Sequence, residues 1–465
     1  MLSLEPATQI EAIEAEFDLC AEMQRIACGE ATFRPPEVPV LSEPMARLTK
    51  PGVVLEAAEV TALGVLLEAA GSVRSYILRR EDSLPCLSRL AGGLEPLEEL
   101  GRRIAATFDE NSEVRSNASP LLGRLRRDMR QVRARIEEKL QQIAERLNQE
   151  GSAGENFITL RQERYVIAIR RDEVHTCPGI IQGESGSGTT LFIEPEEVVP
   201  LNNHFREIEI DIRREVLRIL AGLSDELGRE RPALAGNIEL LARLDGLYAR
   251  ALYAEATVCS RPGMGVPGQM VLKGARHPLL LLRFSQAGEK DPGGLPGGTR
   301  RLVSLDLELE TVERTLLISG PNAGGKTVLL KTVGIIALMA QSGIFPPVAE
   351  GSRLPVFDSV FAAIGDEQSI ERNLSTFSAH VGDLRTAVES GTARSLVLLD
   401  EVGVGTDPAE GAALAAAVLE HLTVRGCLTL GTTHYGELKA LHEHIDGLVN
   451  GSLEFDSRTM EPSFR

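Results

Sequence analysis

The segment from Leu316 to Thr332, LLISGPNAGGKTVLLKT, constrains this chain more than any other stretch. Gly320, four residues, then Gly325-Lys326-Thr327 fill the template G-x-x-x-x-G-K-[ST] of a phosphate-binding loop. The apolar run Leu316-Leu317-Ile318 before it and the apolar segment from Lys326 to about Gln341 after it supply the strand, loop, helix context such a loop needs. Glycines at 320, 324 and 325 let backbone N–H groups converge on phosphate oxygens at a helix N-terminus, where the dipole favours negative charge. The residues expected to cradle ATP are Gly320, Pro321, Asn322, Ala323, Gly324, Gly325, Lys326, Thr327 and Val328. Lys326 would reach the β and γ phosphates, and the Thr327 hydroxyl would ligate Mg²⁺.

A second element bears on hydrolysis. In SLVLLDE the continuous apolar run Leu396 to Leu399 reads as a buried parallel strand that delivers Asp400 and Glu401 at its C-terminal end. Ligands bind at that end of the strands in open α/β sheets. Asp400 would hold Mg²⁺ through water, and Glu401 would be the base that orients the attacking water.

At 465 residues the chain is too long for one core. Apolar residues recur at helical spacing from the start to about Ala118, which reads as a helical core over 1–118. Ser119-Pro120 then gives an N-cap followed by a first-turn proline, and a helix pattern runs to about Leu147. A β-rich stretch at 157–195 interrupts, and the long-helix pattern returns from about Leu201 to Leu227. Two long helices around a small β unit imply a pair of arms over 119–230 with a tip at about 151–200. A helical return occupies 231–264, with a third long helix from about Pro232 to Ala256, and a nucleotide-binding domain fills 265–465, with a loop by composition at 287–299. The expected fold is mixed: an all-α core and lever arms with a β-containing clamp tip, plus an α/β phosphate-loop ATPase domain.

The balance of 49 basic against 67 acidic residues, −18 in all, argues against indiscriminate adhesion to nucleic acid. The exception is the arm. Between Leu121 and Arg171 twelve Lys or Arg face seven acids, a local surplus of five, densest in GRLRRDMRQVRAR. Arg124, Arg126, Arg127, Arg130 and Arg133 are the candidate phosphate contacts; a solvated helix face is the other reading of the same charges. The six cysteines lack C-x-x-C or ligand spacing, which fits a reducing cytoplasm and indicates no structural metal. No stretch of about 18 apolar residues is present, so no membrane span is expected.

Between the phosphate loop and Asp400, NLSTFSAHVGDLRTAVESG places Ser375 and Thr376 at the start of a helix, an anion site in want of an anion. Here the chain resembles the MutS proteins, a branch of the ABC-type ATPases, whose GPN-x-GGK[ST], STF, LLDE-x-G-x-GT and TTHY motifs appear in order. The resemblance implies a homodimer with composite sites, in which Ser375, Thr376 and Asp407 meet the nucleotide held by the other subunit. It also implies that His434, in GTTHYGEL, is a switch histidine sensing the γ-phosphate. ARHPLL at 275–280 matches the opening of that family's ATPase domain. The string RYVIAIRRDEVHTCPGIIQGESGSGTTLFIEPEEVVPLNN is similar to the β tip of the second bacterial type of MutS. The wedge motif F-x-E of the mismatch-repair type occurs at Phe108 and Phe192, but neither lies in an N-terminal α/β domain, so mismatch wedging is not expected. The resemblance implies an ATP-operated dimeric clamp on branched DNA that suppresses recombination, with cleavage by a C-terminal nuclease domain absent from these residues. It equally implies a rival, a ribosome-collision factor gripping ribosomes and their rRNA. A structural arm protein like the chromosome-organising ATPases is a third reading, weakened because the long heptad coiled coils are missing.

Overall fold

The computed structural model describes residues 4–29, 33–149, 157–265, 267–286, 303–320, 325–365, 373–403, 407–453, 455–456 and 461–462. The helices are α1 Ile10–Ala27, α2 Ser42–Arg47, α3 Ala57–Leu78, α4 Pro85–Ala91, α5 Glu98–Thr107, α6 Pro120–Gln149, α7 Val199–Arg229, α8 Arg231–Ala256, α9 Pro278–Gln286, α10 Lys326–Gln341, α11 Asn373–Ser390 and α12 Pro408–Val424. The strands are β1 Ile158–Arg161, β2 Arg164–Arg170, β3 Gly179–Glu184, β4 Thr190–Pro195, β5 Gly263–Met264, β6 Met270–Ala275, β7 Leu305–Leu309, β8 Thr315–Ser319, β9 Arg353–Leu354, β10 Ser359–Ala363, β11 Ser395–Leu399, β12 Leu428–Thr433, β13 Leu448–Ser452, β14 Phe455–Asp456 and β15 Glu461–Pro462. The chain is mixed α and β. Its residues form two compact units: 1–35, 77–90 and 242–465 make the first, and 36–76 with 91–241 the second.

In the first unit a parallel sheet runs in the order β10-β11-β12-β8-β13. Alternation along the strands decides which helix covers which face. Leu316, Ile318, Leu396, Leu398, Leu428 and Leu430 pack under α10, in one core with Ile13 and Phe17 of α1. The intervening Leu317, Val397 and Leu399 pack on the other face against Leu384 of α11 and Leu419 of α12. Gln341, at the end of α10, ties its side chain to the carbonyls of Ala7 and Phe357 and to the Phe357 N–H, which anchors both segments to this core. A second sheet, β5-β9-β6-β7, stands beside it.

In the second unit Ser119 caps α6, accepting the Leu122 N–H at 3.0 Å with Pro120 as the first helical residue. The 30-residue α6 is about 45 Å long. Leu125, Met129, Val132, Ile136, Leu140 and Ile143 recur every three or four residues along it and meet Ile208 and Phe205 of α7. The same cluster takes Ile167, Ile169, Leu191 and Ile193 from one face of the antiparallel sheet β1-β2-β4-β3. Val166, Ala168 and Phe192 fall on its other face. Glu194 is fully buried beside them, and every oxygen is used: Oε1 accepts from Arg164 at 2.6 Å and Asn202 at 3.0 Å, and Oε2 from Gln182 at 2.7 Å. Phe108 and Phe192, each opening an F-x-E string, are both buried.

Candidate active site

Sheet register builds the site. Leu399 pairs with Gly431 and Thr433 with Ser319, so the residues just beyond β8, β11 and β12 converge at one edge. On the α10 face, Leu396 and Leu398 lead to Asp400, and Leu428 and Leu430 lead to Thr432. Gly325, at φ 80°, turns the chain into α10 through left-handed backbone that glycine adopts without a steric penalty. This puts Lys326 and Thr327 in the first turn of α10 at the same edge.

The side chains then meet. Thr327 Oγ1 donates to Asp400 Oδ2 at 2.6 Å, and Thr432 Oγ1 donates to Asp400 Oδ1 at 2.6 Å. Lys326 is only 2% exposed; its Nζ donates to the Gly320 carbonyl at 2.6 Å and lies 3.3 and 3.5 Å from the two ring nitrogens of His434. Burial pushes the Lys326 ammonium below its usual range, while Glu401 and Asp400 draw it back up. His434 Nε2 is 2.9 Å from Glu401 Oε1, so with its proton on Nε2 the ring donates to Glu401 and leaves Nδ1 as an acceptor. Glu401 sits at φ 50°, a left-handed conformation costing a non-glycine residue about 1–3 kcal/mol, and its N–H is held by Thr432 Oγ1 at 2.8 Å.

Hard oxygen donors at 2.6 Å, one hydroxyl and one carboxylate, suit Mg²⁺, which keeps water and phosphate among its ligands. Among the described residues no group of three or more His, Cys, Asp or Glu is placed to hold a metal alone.

A family model described as MutS domain V matches residues 316–464. The protein described as Endonuclease MutS2 from Gemmatimonas aurantiaca is 40% identical over 468 aligned positions, spanning 100% of this chain and 55% of its own length. Proteins of the same description from a Geobacillus species and from Bacillus velezensis are 40% and 36% identical, spanning 90% and 100% of this chain and 51% and 57% of their own lengths. The chain belongs to the MutS2 family. It spans about half the length of the curated MutS2 relatives it matches.

Of the residues singled out from the sequence, Gly320, Lys326, Thr327, Asp400, Glu401 and His434 come together in this MutS2-family chain. Gly325 caps α10, and Val328 is in its first turn, exposed. Pro321, Asn322, Ala323 and Gly324 lie outside the described residues. Ser375 and Thr376 fall in the first turn of α11, with their side chains outside the described set. Asp407 caps α12, its side chain accepting the Ala409 N–H at 3.0 Å. The five arm arginines lie on α6, in the other unit.

Sequence reasoning passed over Thr432, Tyr435, Gly403 and Gly411. Tyr435 donates its phenol to the Gly403 carbonyl at 3.0 Å, and its own N–H goes to Thr433 Oγ1 at 3.0 Å. The signal that could have found the first of them is a threonine at the third place of the face Leu428, Leu430, Thr432, where the apolar pattern breaks beside two acids.

Proposed function

We propose that the first unit carries an ATP-hydrolysing domain over residues 265–465, serving a dimeric MutS-type clamp whose arms span 119–230 and grip branched DNA. The observation that carries this reading is the meeting of Lys326, Thr327, Asp400, Glu401 and His434 at the C-terminal edge of one parallel sheet. Lys326 would bind the β and γ phosphates, and Thr327 and Asp400 would hold Mg²⁺. Bound Mg²⁺ would neutralise charge on the β and γ oxygens. Glu401 would orient the attacking water and hold its proton, with His434 keeping that carboxylate in place through Nε2. Ser375, Thr376 and Asp407 would complete the site of a second copy. That the relatives are described as endonucleases supports a nucleic-acid target; ribosomes, the other target attached to the family, enter as an outcome of the binding test on the arms.

The catalytic assignment is tested by two substitutions. Lys326→Ala should abolish ATP binding. Glu401→Gln should bind ATP and turn it over at least about 100-fold more slowly, the factor that general-base catalysis contributes. Turnover within twofold of the unaltered chain would remove Glu401 from that role.

A further inference from the structure

We propose that Thr432 is the positioning residue of this site, fixing with one hydroxyl both the carboxylate of Asp400 and the backbone of Glu401. The inference rests on the ATPase reading for its kinetic consequences but not for its geometry.

Thr432 is fully buried at the end of β12. Its hydroxyl has one proton, given to Asp400 Oδ1 at 2.6 Å, and accepts one hydrogen, the Glu401 N–H at 2.8 Å. The two oxygens of Asp400 are thereby divided. Oδ1 is taken by Thr432, and Oδ2 is left facing Thr327 Oγ1 at 2.6 Å. The carboxylate cannot turn about its own axis without breaking both hydrogen bonds, so the oxygen presented to Thr327 is set by Thr432.

The second hydrogen bond acts on the next residue. Glu401 leaves β11 at φ 50°, and without that turn period-two alternation would send its side chain to the face of Val397 and Leu399, away from Asp400. The turn brings Glu401 Oε1 to 2.9 Å from His434 Nε2. Val402 N–H adds a further tie, to the Thr432 carbonyl at 3.1 Å. Residue 432 therefore holds the two acids from the neighbouring strand, through side chain and main chain together.

An apolar residue at 432 would continue the face of Leu428 and Leu430 and pack without difficulty. It would leave Oδ1 of a carboxylate only 5% exposed without its donor and the Glu401 N–H without its acceptor. Loss of Thr432 should therefore weaken metal retention and turnover, as loss of groups that orient metal ligands does. It should spare nucleotide affinity in the absence of metal, which falls to Lys326 and the phosphate-loop backbone.

The test compares the unaltered chain with Thr432→Val, Thr432→Ser and Thr432→Ala. It reads the affinity of a fluorescent ATP analogue with and without Mg²⁺, the kcat, KM and Mg²⁺ half-saturation of ATP hydrolysis, and amide hydrogen exchange over 400–403. Expected for Thr432→Val are a kcat lower by about 10–100-fold, a Mg²⁺ half-saturation higher by about 10-fold, a metal-free affinity within about threefold, and faster exchange over 400–403. Thr432→Ser, which keeps the oxygen, should recover to within about threefold of the unaltered chain. Ser and Ala both lack the methyl groups that fill the valine site, so their ratio isolates the hydroxyl even if Thr432→Val does not fold. Equal behaviour of Thr432→Ser and Thr432→Ala, or unchanged exchange and Mg²⁺ dependence in a folded Thr432→Val, would overturn the proposal. If the unaltered chain neither binds nor hydrolyses ATP, the ATPase reading fails, and the exchange comparison still decides whether Thr432 positions the acids.

Discussion

Just past the acids, the chain comes close to itself at two glycines. A Cβ built on Gly411, in the first turn of α12, would lie 2.2 Å from the Gly403 carbonyl oxygen and 2.8 Å from the Tyr435 hydroxyl. Gly411→Ala should therefore force the 400–403 backbone off its Tyr435 bond and destabilise the chain by about 1–3 kcal/mol, the usual range for overpacking. Gly382→Ala, in α11 with nothing within 4 Å of the added carbon, should instead stabilise it by about 0.5–1 kcal/mol. Urea denaturation of both variants checks the contrast, and shifts of the same sign would remove the close approach as the cause. At this scale, the residues that the structure brings together and that were legible in the sequence stand in contiguous strings: Gly320, Lys326 and Thr327 in one, Asp400 and Glu401 in another. Gly411 and Tyr435 gain their meaning from a register that pairs 399 with 431, and no local pattern states a register.

Elements were legible where periodicity was long. The expected helices at 120–147, 201–227 and 232–256 occur as Pro120–Gln149, Val199–Arg229 and Arg231–Ala256, differing only by the fraying of ends. Two-residue strands such as β5 and β9 were not foreseen, because two residues carry no alternation. The strand order β10-β11-β12-β8-β13 was equally hidden, since it depends on crossovers. Where α6 begins, one ion joins two elements: Ser119, its cap, donates to Glu215 Oε1 at 2.6 Å, and Arg218 reaches the same carboxylate with two bonds of 2.8 Å. The Arg218 bonds first, and the Ser119 bond second, hold the Glu215 carboxyl down at about 2, against 4.5 unperturbed. A carboxyl whose folded pKa is depressed contributes stability that is complete above its unfolded value and lost as pH falls through the folded one. Glu215→Gln should consequently cost stability at neutral pH, and its deficit should shrink between pH 4.5 and about 2. Denaturant melts of both proteins across that window check this, and a deficit independent of pH would mean that packing rather than charge is responsible.

For the whole molecule the question is how a chain of net charge −18 would hold the nucleic acid proposed as its target. The arm's surplus of five is local, and its arginines are not equivalent. Arg124 lies 3.6 Å from Asp128, Arg133 is bonded to Glu137 at 2.8 Å, and Arg126 donates to Ser116 at 3.1 Å. Arg127 and Arg130 are exposed, with no hydrogen-bond or ion-pair partner among the described residues. Arg124, Arg127, Arg130 and Arg133 follow at intervals of three, each turned about 60° from the last, so they wind round α6 rather than forming one stripe. Arg127 and Arg130 can meet phosphate without first giving up a partner, and they should carry most of the binding. Removing one arginine–phosphate pair should flatten the dependence of log K on log salt by about 0.9 for duplex DNA. Replacing Arg127 and Arg130 with alanine should flatten it by about 1.8 on every sequence alike, because phosphate pairing carries no base information. Replacing Arg124 and Arg133 should flatten it less, since each must give up an intrahelical ion pair to reach a phosphate. Salt titrations against a four-way junction, a linear duplex, a mismatched duplex and ribosomes read all of this. The clamp proposal requires preference for the junction over the linear duplex and none for the mismatch. An unchanged slope in the Arg127, Arg130 variant would leave these arginines as a solvated face, and tight binding to ribosomes alone would move the arms' target from branched DNA to the ribosome.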